Sequence, residues 1–321
     1  GVQEFVRVGD PTKIAPAVKE YSLGSERWYY SVTDDLRKIS ERAPVAGVTC
    51  YGVNNPFFQR KQFDVVLVDE AGQITFPAIL QPLFMAKKFV LVGDHHQLPP
   101  LVVSKDAAEG GLNKSLFASL CAAHPDAVID LALQYRMAEP LTRLPNVLTY
   151  GGKLRAGTEE VAKQTLVLEN APAFLANPPE WLKNVMDPEK HVVFLDTSPL
   201  GAAAYETKLP LTNESEVTFV LSVLGSFIAR GIDANDMCAL SPFNAQVDAI
   251  EAALGTFASL KNVEALTIDR AQGRDMKAVC ISFVRSNEQG VAGELLNDRR
   301  RLNVALTRAK KKLVLVGAID T

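Results

Sequence analysis

Short, continuous runs of apolar residues recur along this chain and predict buried strands. Two of these runs lead directly into polar loops. Residues 65–68 are continuously apolar and precede Asp69 and Glu70, and residues 89–92 precede a loop that contains Gln97. Continuous apolar runs are typical of parallel strands buried on both faces. Because ligands bind beyond the carboxyl ends of such strands, we expect Asp69, Glu70 and Gln97 to face a ligand crevice.

The same pattern recurs along the chain and predicts its fold class. Helical periodicities cover residues 215–230 and 244–254, between apolar runs. Strands that alternate with helices predict βαβ units, and therefore an α/β fold with parallel sheets. The predicted strands are residues 4–8, 45–50, 65–69, 89–93, 128–133, 192–195, 237–241, 263–268, 278–283 and 312–316.

The length of 321 residues favours two domains, which we place at residues 1–126 and 127–321. Residues 155–190 contain several prolines and show no long periodicity. Such a segment suits either a linker between domains or an excursion within the second domain. We favour the excursion, because the motif at residues 134–137, upstream of this segment, already belongs to the second domain.

Composition narrows the class of protein. The chain is 47% hydrophobic and 22% charged, which is ordinary for a globular protein and excludes a disordered or fibrous one. We find neither a run of about 20 apolar residues nor a signal peptide, and we expect an intracellular protein that does not bind membranes. The 4 cysteines are scattered, so we expect reduced thiols and no zinc site. A net charge of −3 gives no general indication of nucleic-acid binding.

The acidic pair at the end of the first polar strand suits phosphoryl transfer. Asp69 would hold Mg²⁺ while Glu70 orients the attacking water, and Gln97 would contact a γ-phosphate. The alternatives are a solvated loop and a proline-rich turn. The matching phosphate-binding loop, Gly-x-x-x-x-Gly-Lys-Ser/Thr, does not occur in this sequence. Since the chain also begins abruptly in a strand, we expect a fragment whose nucleotide site is completed upstream.

A basic segment lies near the end of the chain. Its apolar residues Leu302, Ala305, Leu306 and Ala309 have helical spacing, which predicts a helix over residues 299–310. Arg308 on that helix would stabilise a transferring phosphoryl group, an effect of about 10³ to 10⁵ in rate in other systems. The alternative is a solvated charged face.

Two further loops carry candidate nucleotide contacts. In the run Gln272, Gly273, Arg274 and Asp275, the glycine permits close backbone approach and the acid suits a ribose hydroxyl. Tyr135 and Arg136 together offer a stacking ring beside a cation. The alternatives are a surface turn for the first loop and a buried tyrosine beside an exposed arginine for the second.

These segments resemble, in order, the later motifs of superfamily 1 helicases. The motifs are Asp-Glu-Ala-Gly, Gly-Asp-His-His-Gln-Leu-Pro-Pro, Gln-Tyr-Arg-Met, Ser-Pro-Phe-Asn-Ala-Gln, Gln-Gly-Arg-Asp and Asn-Val-Ala-Leu-Thr-Arg-Ala-Lys, within residues 69–310. The chain looks like the branch of the nonsense-mediated-decay RNA helicases. It is more similar still to the helicase half of the eukaryotic DNA replication helicase/nucleases. Residues 47–58 and 89–102 carry this closer similarity, and residues 5–16 resemble the segment that lies upstream of them in that family.

The resemblance implies two RecA-like domains of the P-loop NTPase fold, the first incomplete, with ATP and Mg²⁺ between them. It implies Mg²⁺ binding by Asp69, catalysis by Glu70, and γ-phosphate contacts from Gln97, Arg136 and Arg308. Other nucleotide contacts would come from Tyr135 at the adenine, Asp275 at the ribose, and Gln272, Gly273 and Arg274. Contacts to a nucleic-acid strand would come from Thr49, Cys50, Pro99, Pro242, Phe243, Asn244 and Thr267.

The activity implied is that of an ATP-dependent DNA helicase or translocase moving 5′ to 3′ on single-stranded DNA in replication and repair. Its partners would be a flap or resected end and a single-strand-binding protein. Its location would be the nucleus, with the mitochondrion as a second compartment. The family's nuclease domain, with its iron-sulfur cluster, is not in this sequence. An RNA helicase of the decay type and a catalytically silent nucleic-acid-binding module are the alternatives, and we expect the first half to be the less stable.

Overall fold

A computed structural model describes residues 4–169, 172 and 177–321. The chain divides into two compact units. Unit 1 comprises Gly1–His95 and Pro99–Val128, and unit 2 comprises His96–Leu98 and Ile129–Thr321. Among the described residues, no helix is long and apolar enough to cross a membrane.

Helices and strands are interspersed along the described chain. The strands are β1 (Phe5–Arg7), β2 (Val45–Gly47), β3 (Phe63–Val68), β4 (Ala86–Leu91), β5 (Leu133–Gln134), β6 (Arg155–Ala156), β7 (Val192–Asp196), β8 (Met237–Ser241), β9 (Glu264–Thr267), β10 (Met276–Ser282) and β11 (Ala309–Gly317). The helices are α1 (Thr33–Arg42), α2 (Phe76–Leu83), α3 (Lys105–Ala107), α4 (Leu116–Ala123), α5 (Glu139–Pro145), α6 (Glu159–Lys163), α7 (Glu180–Met186), α8 (Glu214–Ala229), α9 (Asn244–Gly255), α10 (Glu294–Asn297) and α11 (Arg299–Leu306).

Unit 1 contains two short parallel pairs, β1 with β2 and β3 with β4. Its buried side chains form separate clusters, one around Trp28 and Phe57 and the other around Val68 and Ile79. The predicted burial of β3 on both faces is wrong, because Leu67 is 72% exposed. The short sheets therefore leave part of the apolar surface of unit 1 in contact with solvent.

Unit 2 is organised around a five-stranded parallel sheet in the order β7-β11-β10-β8-β9. Every residue of β8 is buried, as expected for a strand covered on both faces. One core cluster includes Phe227 and Ile250 from α8 and α9, and a second includes Leu141 and Val304 from α5 and α11. This sheet and its helices confirm the predicted α/β class.

Helix limits in unit 2 follow from local capping. The side chain of Asn213 accepts a hydrogen bond from the backbone N–H of Glu216 and caps α8, which confirms the helix predicted at residues 215–230. The helix is followed by Gly231 at φ +83°, a left-handed conformation that favours glycine. The helix predicted at residues 244–254 is confirmed by α9.

Two predicted elements are wrong in extent. The strand expected at residues 128–133 is reduced to β5, which pairs with the two-residue β6, and Ile129 is 86% exposed. Within the described part of the chain, no longer strand pairs with this apolar run to bury it. The helix expected at residues 299–310 ends at Leu306, since Thr307 leaves helical geometry at φ −95° and ψ 6° and the chain enters β11 at Ala309.

The proline-rich excursion falls in unit 2, where the structure gives it the elements β6, α6 and α7. Residues 170–171 and 173–176 of that excursion lie outside the described residues.

Candidate nucleotide and nucleic-acid site

The acidic pair follows β3 in a turn with an unusual backbone conformation. Glu70 has φ 52° and ψ 36°, in the left-handed region that a residue with a side chain rarely adopts. Its N–H donates to Asp69 Oδ1 at 2.9 Å, and its carboxylate accepts from Gln73 Nε2 at 2.6 Å. Both acids are exposed. Strain of this kind concentrates at functional sites, so the turn presents two carboxylates at a strand end in a manner suited to chemistry.

The loops that follow β3 and β4 are packed against each other. The N–H of Ala71 donates to the carbonyl of Val92 at 2.9 Å. A Cβ added at Gly93 would lie 3.0 Å from the backbone nitrogen of Gly72, closer than most real Cβ contacts, so glycine favours this approach. The glycines of both loops were not recognised as site-forming from the sequence. They hold the acidic turn against the next strand end.

A groove of about 730 Å³ in unit 1 is lined by residues predicted to bind different ligands. Thr49 and Cys50, predicted strand contacts, share this lining with Asp69, the predicted Mg²⁺ ligand, whereas Pro99 is not among the lining residues. Burial raises the pKa of the half-buried Cys50 thiol above its ordinary value. The thiol is therefore neutral near pH 7 and suits an uncharged contact.

Gln97 belongs to a short segment that is packed within unit 2. The side-chain amide of Asn303 donates to the carbonyl of His96 at 3.1 Å and to the hydroxyl of Tyr150 at 2.8 Å. On the other side of Gln97, Leu98 is buried in a core cluster of unit 2. Asn303 and Tyr150 were not singled out from the sequence. The signal available for Asn303 was its place in the same motif as Arg308.

The Tyr135–Arg136 turn is built by the glutamine that precedes it. The side-chain oxygen of Gln134 accepts from the N–H of Arg136 at 2.8 Å and from that of Met137 at 2.7 Å. Tyr135 is 65% exposed, and its ring lies against the backbone of Gly157, where an added Cβ would meet the ring at 2.3 Å. The turn therefore presents an accessible aromatic face beside a cation, and the alternative of a buried tyrosine is excluded.

Arg136 and Asp275 come together as an ion pair. Arg136 Nε lies 3.5 Å from Asp275 Oδ2, and Lys310 Nζ lies 3.1 Å from Asp275 Oδ1. Arg136 also donates to the carbonyl of Thr307 at 3.2 Å. The side chains of Arg136 and Asp275 are each more than one third exposed. This edge of unit 2 thus carries two cations around one carboxylate, a net positive charge suited to an anionic ligand.

Arg308 has a different environment from the one predicted. It lies in the turn between α11 and β11, is 3% exposed, and donates from Nε to the carbonyl of Val304 at 2.8 Å. Its two terminal nitrogens donate to the carbonyl of Arg274 at 3.1 Å and the hydroxyl of Thr307 at 2.9 Å. Arg308 therefore ties α11 to the 272–275 loop, and Arg136 is the more accessible of the two cations.

The 272–275 loop lies beside this arginine. Gly273 has φ +76°, which favours glycine, and Arg274 forms an ion pair with Glu264. The side-chain nitrogen of Gln272 is buried, with no hydrogen-bond partner in the part of the chain that the structure describes. A buried donor without an acceptor is costly and suits a ligand acceptor.

The predicted strand contacts of unit 2 share one edge of the main sheet. Ser241 and Thr267 are register partners at the ends of β8 and β9, and residues 242–244 follow directly. Pro242 and Thr267 are buried, Phe243 is half-buried and Asn244 is exposed. Asn244 is therefore the most accessible of these residues to a polynucleotide.

The residues present fit Mg²⁺ and ATP in part. Mg²⁺ in nucleotide enzymes is held by one or two carboxylates together with waters and phosphates, and the exposed Asp69 supplies one such ligand. The described residues contain no cluster of His, Cys, Asp or Glu that would hold a metal by itself. The phosphate cradle is absent from this sequence, so the chain supplies only some of the contacts that ATP requires.

Comparison with known proteins gives matches along almost the whole chain. A family model described as an AAA domain matches residues 112–320, and a second with the same description matches residues 18–105. The chain is 41% identical over 320 residues to a DNA replication ATP-dependent helicase/nuclease of Arabidopsis thaliana. It is 39% identical over 329 residues to the protein with the same description in Mus musculus.

These relatives are much longer than the chain. The alignments cover 99% of the chain but only 23% of the Arabidopsis protein and 31% of the mouse protein. Among solved structures, an arterivirus nonstructural protein 10 helicase aligns with 85% of this chain and with 41% of its own length. The identity is 12% and the TM-score 0.41, so this likeness is too weak to define the fold. The resemblance to the replication helicase/nucleases that the motifs predict is confirmed, and the AAA domain matches agree with a RecA-like fold.

Proposed function

Because the chain belongs to the AAA domain family, we propose that it forms part of the motor of an ATP-dependent DNA helicase. The proposal rests on two features of the chain, each described within its own unit: the strained acidic turn at a strand end of unit 1 and the cationic edge of unit 2. The similarity over 99% of the chain to replication helicase/nucleases supports it. Residues 1–126 and 127–321 would be the two motor domains.

In the proposed reaction, Glu70 accepts a proton from the attacking water. Its left-handed turn fixes the carboxylate beyond the end of β3, where Asp69 would hold Mg²⁺. The metal, when bound, neutralises charge on the phosphate oxygens of ATP. Gln97 would contact the γ-phosphate, and its neighbours His96 and Leu98 are held within unit 2.

The arginines would stabilise the charge of the transferring phosphoryl group. Arg136 has the accessible planar donors that this role requires. Arg308 would have to exchange one of its hydrogen bonds to the protein for a phosphate oxygen. Tyr135 would stack on the adenine, and Asp275, held between Arg136 and Lys310, would accept from the ribose.

Single-stranded DNA is the proposed track. Asn244 and Phe243, at the start of α9, would contact the strand together with Pro242 and Thr267, and Thr49, Cys50 and Pro99 would contribute from unit 1. Movement would run 5′ to 3′ on a flap or resected end, with a single-strand-binding protein as partner. We propose the nucleus as its location, with the mitochondrion as a second compartment.

Hydrolysis of ATP in the presence of single-stranded DNA tests this proposal. The assay uses a polypeptide that contains this chain together with a Gly-x-x-x-x-Gly-Lys-Ser/Thr loop, and compares it with Glu70→Gln. Glu109→Gln is the matched control, because Glu109 is an exposed carboxylate in unit 1 that pairs only loosely with Lys105. Loss of turnover in Glu70→Gln alone supports the motor. Equal turnover in all three proteins, or none in any of them, contradicts it.

The nature of the track has its own test. A competition between deoxy and ribo oligonucleotides of one sequence measures preference for the 2′-hydroxyl, the group by which a protein distinguishes RNA from DNA. Tighter binding of DNA supports a DNA track, as expected from the replication relatives. Tighter binding of RNA favours a decay-type helicase, and binding without any hydrolysis favours a silent nucleic-acid-binding module.

A further inference from the structure

A cluster of polar side chains is buried under the edge of the unit 2 sheet that carries Asn244. It consists of Asn213, Glu216, Gln246 and Ser282, each 0% exposed. The surrounding core is apolar, and polar groups in such a place are costly unless they are hydrogen-bonded. Burial of the ionisable Glu216 costs more free energy than burial of its neutral neighbours, so its hydrogen bonds decide whether the cluster is stable.

A chain of hydrogen bonds leads from Gln246 through Ser282 to Glu216. Gln246 Nε2 donates to Ser282 Oγ at 2.9 Å. The hydroxyl of Ser282 then donates to Glu216 Oε2 at 2.6 Å, which also accepts from the N–H of Val284 at 2.9 Å. Asn213 Nδ2 lies 3.3 Å from Glu216 Oε1. All these partners of Glu216 are donors, so the arrangement matches a carboxylate rather than a carboxylic acid.

The amide of Gln246 also fixes the start of its own helix. Its oxygen accepts from the backbone N–H of Asn213 at 2.8 Å, and its nitrogen donates to the carbonyl of Asn213 at 3.1 Å. Gln246 lies in the first turn of α9, two residues after Asn244. The cluster thus joins the start of α8, the start of α9 and the end of β10 at one point.

We propose that Gln246 and Glu216 are positioning residues that set the orientation of the Phe243–Asn244 turn for binding single-stranded DNA. The inference rests on the proposed function of that turn as a strand contact. Neither residue touches the strand. Both act through the relay by Ser282, which holds the first turn of α9 against the sheet.

Protonation of Glu216 would disturb this relay. Burial raises the pKa of Glu216 to about 7, and hydrogen bonds from Ser282 and the backbone oppose the rise. Glu206, which pairs with Arg285 at 3.2 Å, raises it further, and the thiol of Cys280 also faces the carboxyl. Since a protonated carboxyl accepts fewer hydrogen bonds, we expect single-strand affinity to fall as the pH decreases through about 7.

The test measures the dissociation constant of the 321-residue chain for a fluorescent oligodeoxythymidine between pH 6 and pH 8.5. Glu216→Gln removes the titrating group, and Ser282→Ala breaks the relay with little change in volume. Asn244→Ala removes a proposed direct contact, and Ser226→Ala, a buried hydroxyl of α8 bonded to the carbonyl of Ser222, is the control. Circular dichroism melting confirms that each variant is folded, and Ser282→Ala keeps the test valid if Glu216→Gln does not fold.

We expect Ser282→Ala to raise the dissociation constant about fivefold to tenfold at pH 8, as for loss of one buried hydrogen bond. Glu216→Gln and Ser282→Ala should both flatten the pH profile, whereas Asn244→Ala should weaken binding and keep the profile of the wild type. Unchanged affinity and pH profile in Ser282→Ala and Glu216→Gln, with weaker binding in Asn244→Ala, overturn the inference and leave the proposed function standing. Absence of binding by the wild-type chain overturns both.

Discussion

The side-chain amide of Asn303 donates to the carbonyl of His96 at 3.1 Å, directly before Gln97. Asn303 lies on α11, two residues beyond Arg301 and five before Arg308, so the helix that leads to the arginine also holds the glutamine segment. Both hydrogens of the amide are used, since the second bond goes to Tyr150. Two proposed γ-phosphate contacts are therefore tied to one helix.

Asn303→Ala should lower the turnover number for ATP by about tenfold, with little change in KM. Loss of the bond frees the backbone before Gln97, and small displacements of positioning groups are costly in rate. Steady-state hydrolysis by the polypeptide with the phosphate loop measures this effect. Asn235→Ala, at an exposed turn of the same unit, is the control, and an unchanged turnover number in Asn303→Ala would show that the bond is only structural.

Gly157→Ala should weaken ATP binding through Tyr135. The added methyl group would lie 2.3 Å from the ring, so the tyrosine must move from its present position. Stacking of an aromatic ring on a base contributes about 1–3 kcal/mol, so KM for ATP should rise about fivefold or more while the turnover number changes little. Gly255→Ala serves for comparison, because nothing lies within 4 Å of its added Cβ. Equal KM values in the two variants would argue against adenine stacking by Tyr135.

The two units should differ in local stability. Strand β3 has exposed apolar side chains, whereas β8 and the centre of β10 are buried throughout. Amide hydrogen exchange should therefore be faster at Val65–Leu67 than at Cys238–Leu240, since less apolar contact opposes local opening. Limited proteolysis should cut unit 1 first. Cleavage confined to residues beyond 129 would contradict this expectation.

Lys312 should make the stability of unit 2 rise in mildly alkaline solution. It is 1% exposed, and its ammonium donates to the carbonyls of Asp187 at 2.8 Å and Lys190 at 2.5 Å. Burial lowers the pKa of Lys312 to about 8 from 10.5. Between these values the unfolded chain binds the proton and the folded chain does not, so the free energy of unfolding increases with pH.

Urea unfolding of the wild type and Lys312→Met at pH 7.5 and pH 10 measures this contribution. The wild type should gain stability relative to Lys312→Met by up to about 3 kcal/mol, the equivalent of the difference in pKa. The comparison removes the contribution of other groups that titrate in this range. A constant difference between the two proteins at both pH values would show that Lys312 does not titrate as described.

The sequence predicted unit 2 better than unit 1 for a physical reason. Its central strands have long parallel neighbours, so the apolar runs at residues 237–241 and 278–283 are buried as their pattern indicates. The run at residues 128–133 has a similar pattern, but the described residues give it only the two-residue β6 as a partner strand. A sequence pattern records the tendency to be buried and not the presence of a partner strand.

The sequence indicated which residues form the candidate site better than it indicated their backbone conformation and burial. The acidic pair, Tyr135 and Arg136 stand at accessible turns, but the left-handed backbone of Glu70 has no signature in a single sequence. Helical spacing placed Arg308 on a helix flank, whereas the helix ends at Leu306 and the buried Arg308 donates to the carbonyls of Val304 and Arg274. Such long-range and side-chain-to-backbone contacts depend on the folded chain, and periodicity does not encode them.

Displacement of streptavidin from biotinylated single strands tests most directly whether hydrolysis drives movement along DNA. The polypeptide with the phosphate loop is mixed with oligodeoxythymidines that carry streptavidin at either end, with and without ATP. We predict ATP-dependent displacement from the 3′ end, little from the 5′ end, and none by Glu70→Gln. Displacement only from the 5′ end, or rapid hydrolysis without displacement from either end, would contradict movement from 5′ to 3′ along DNA.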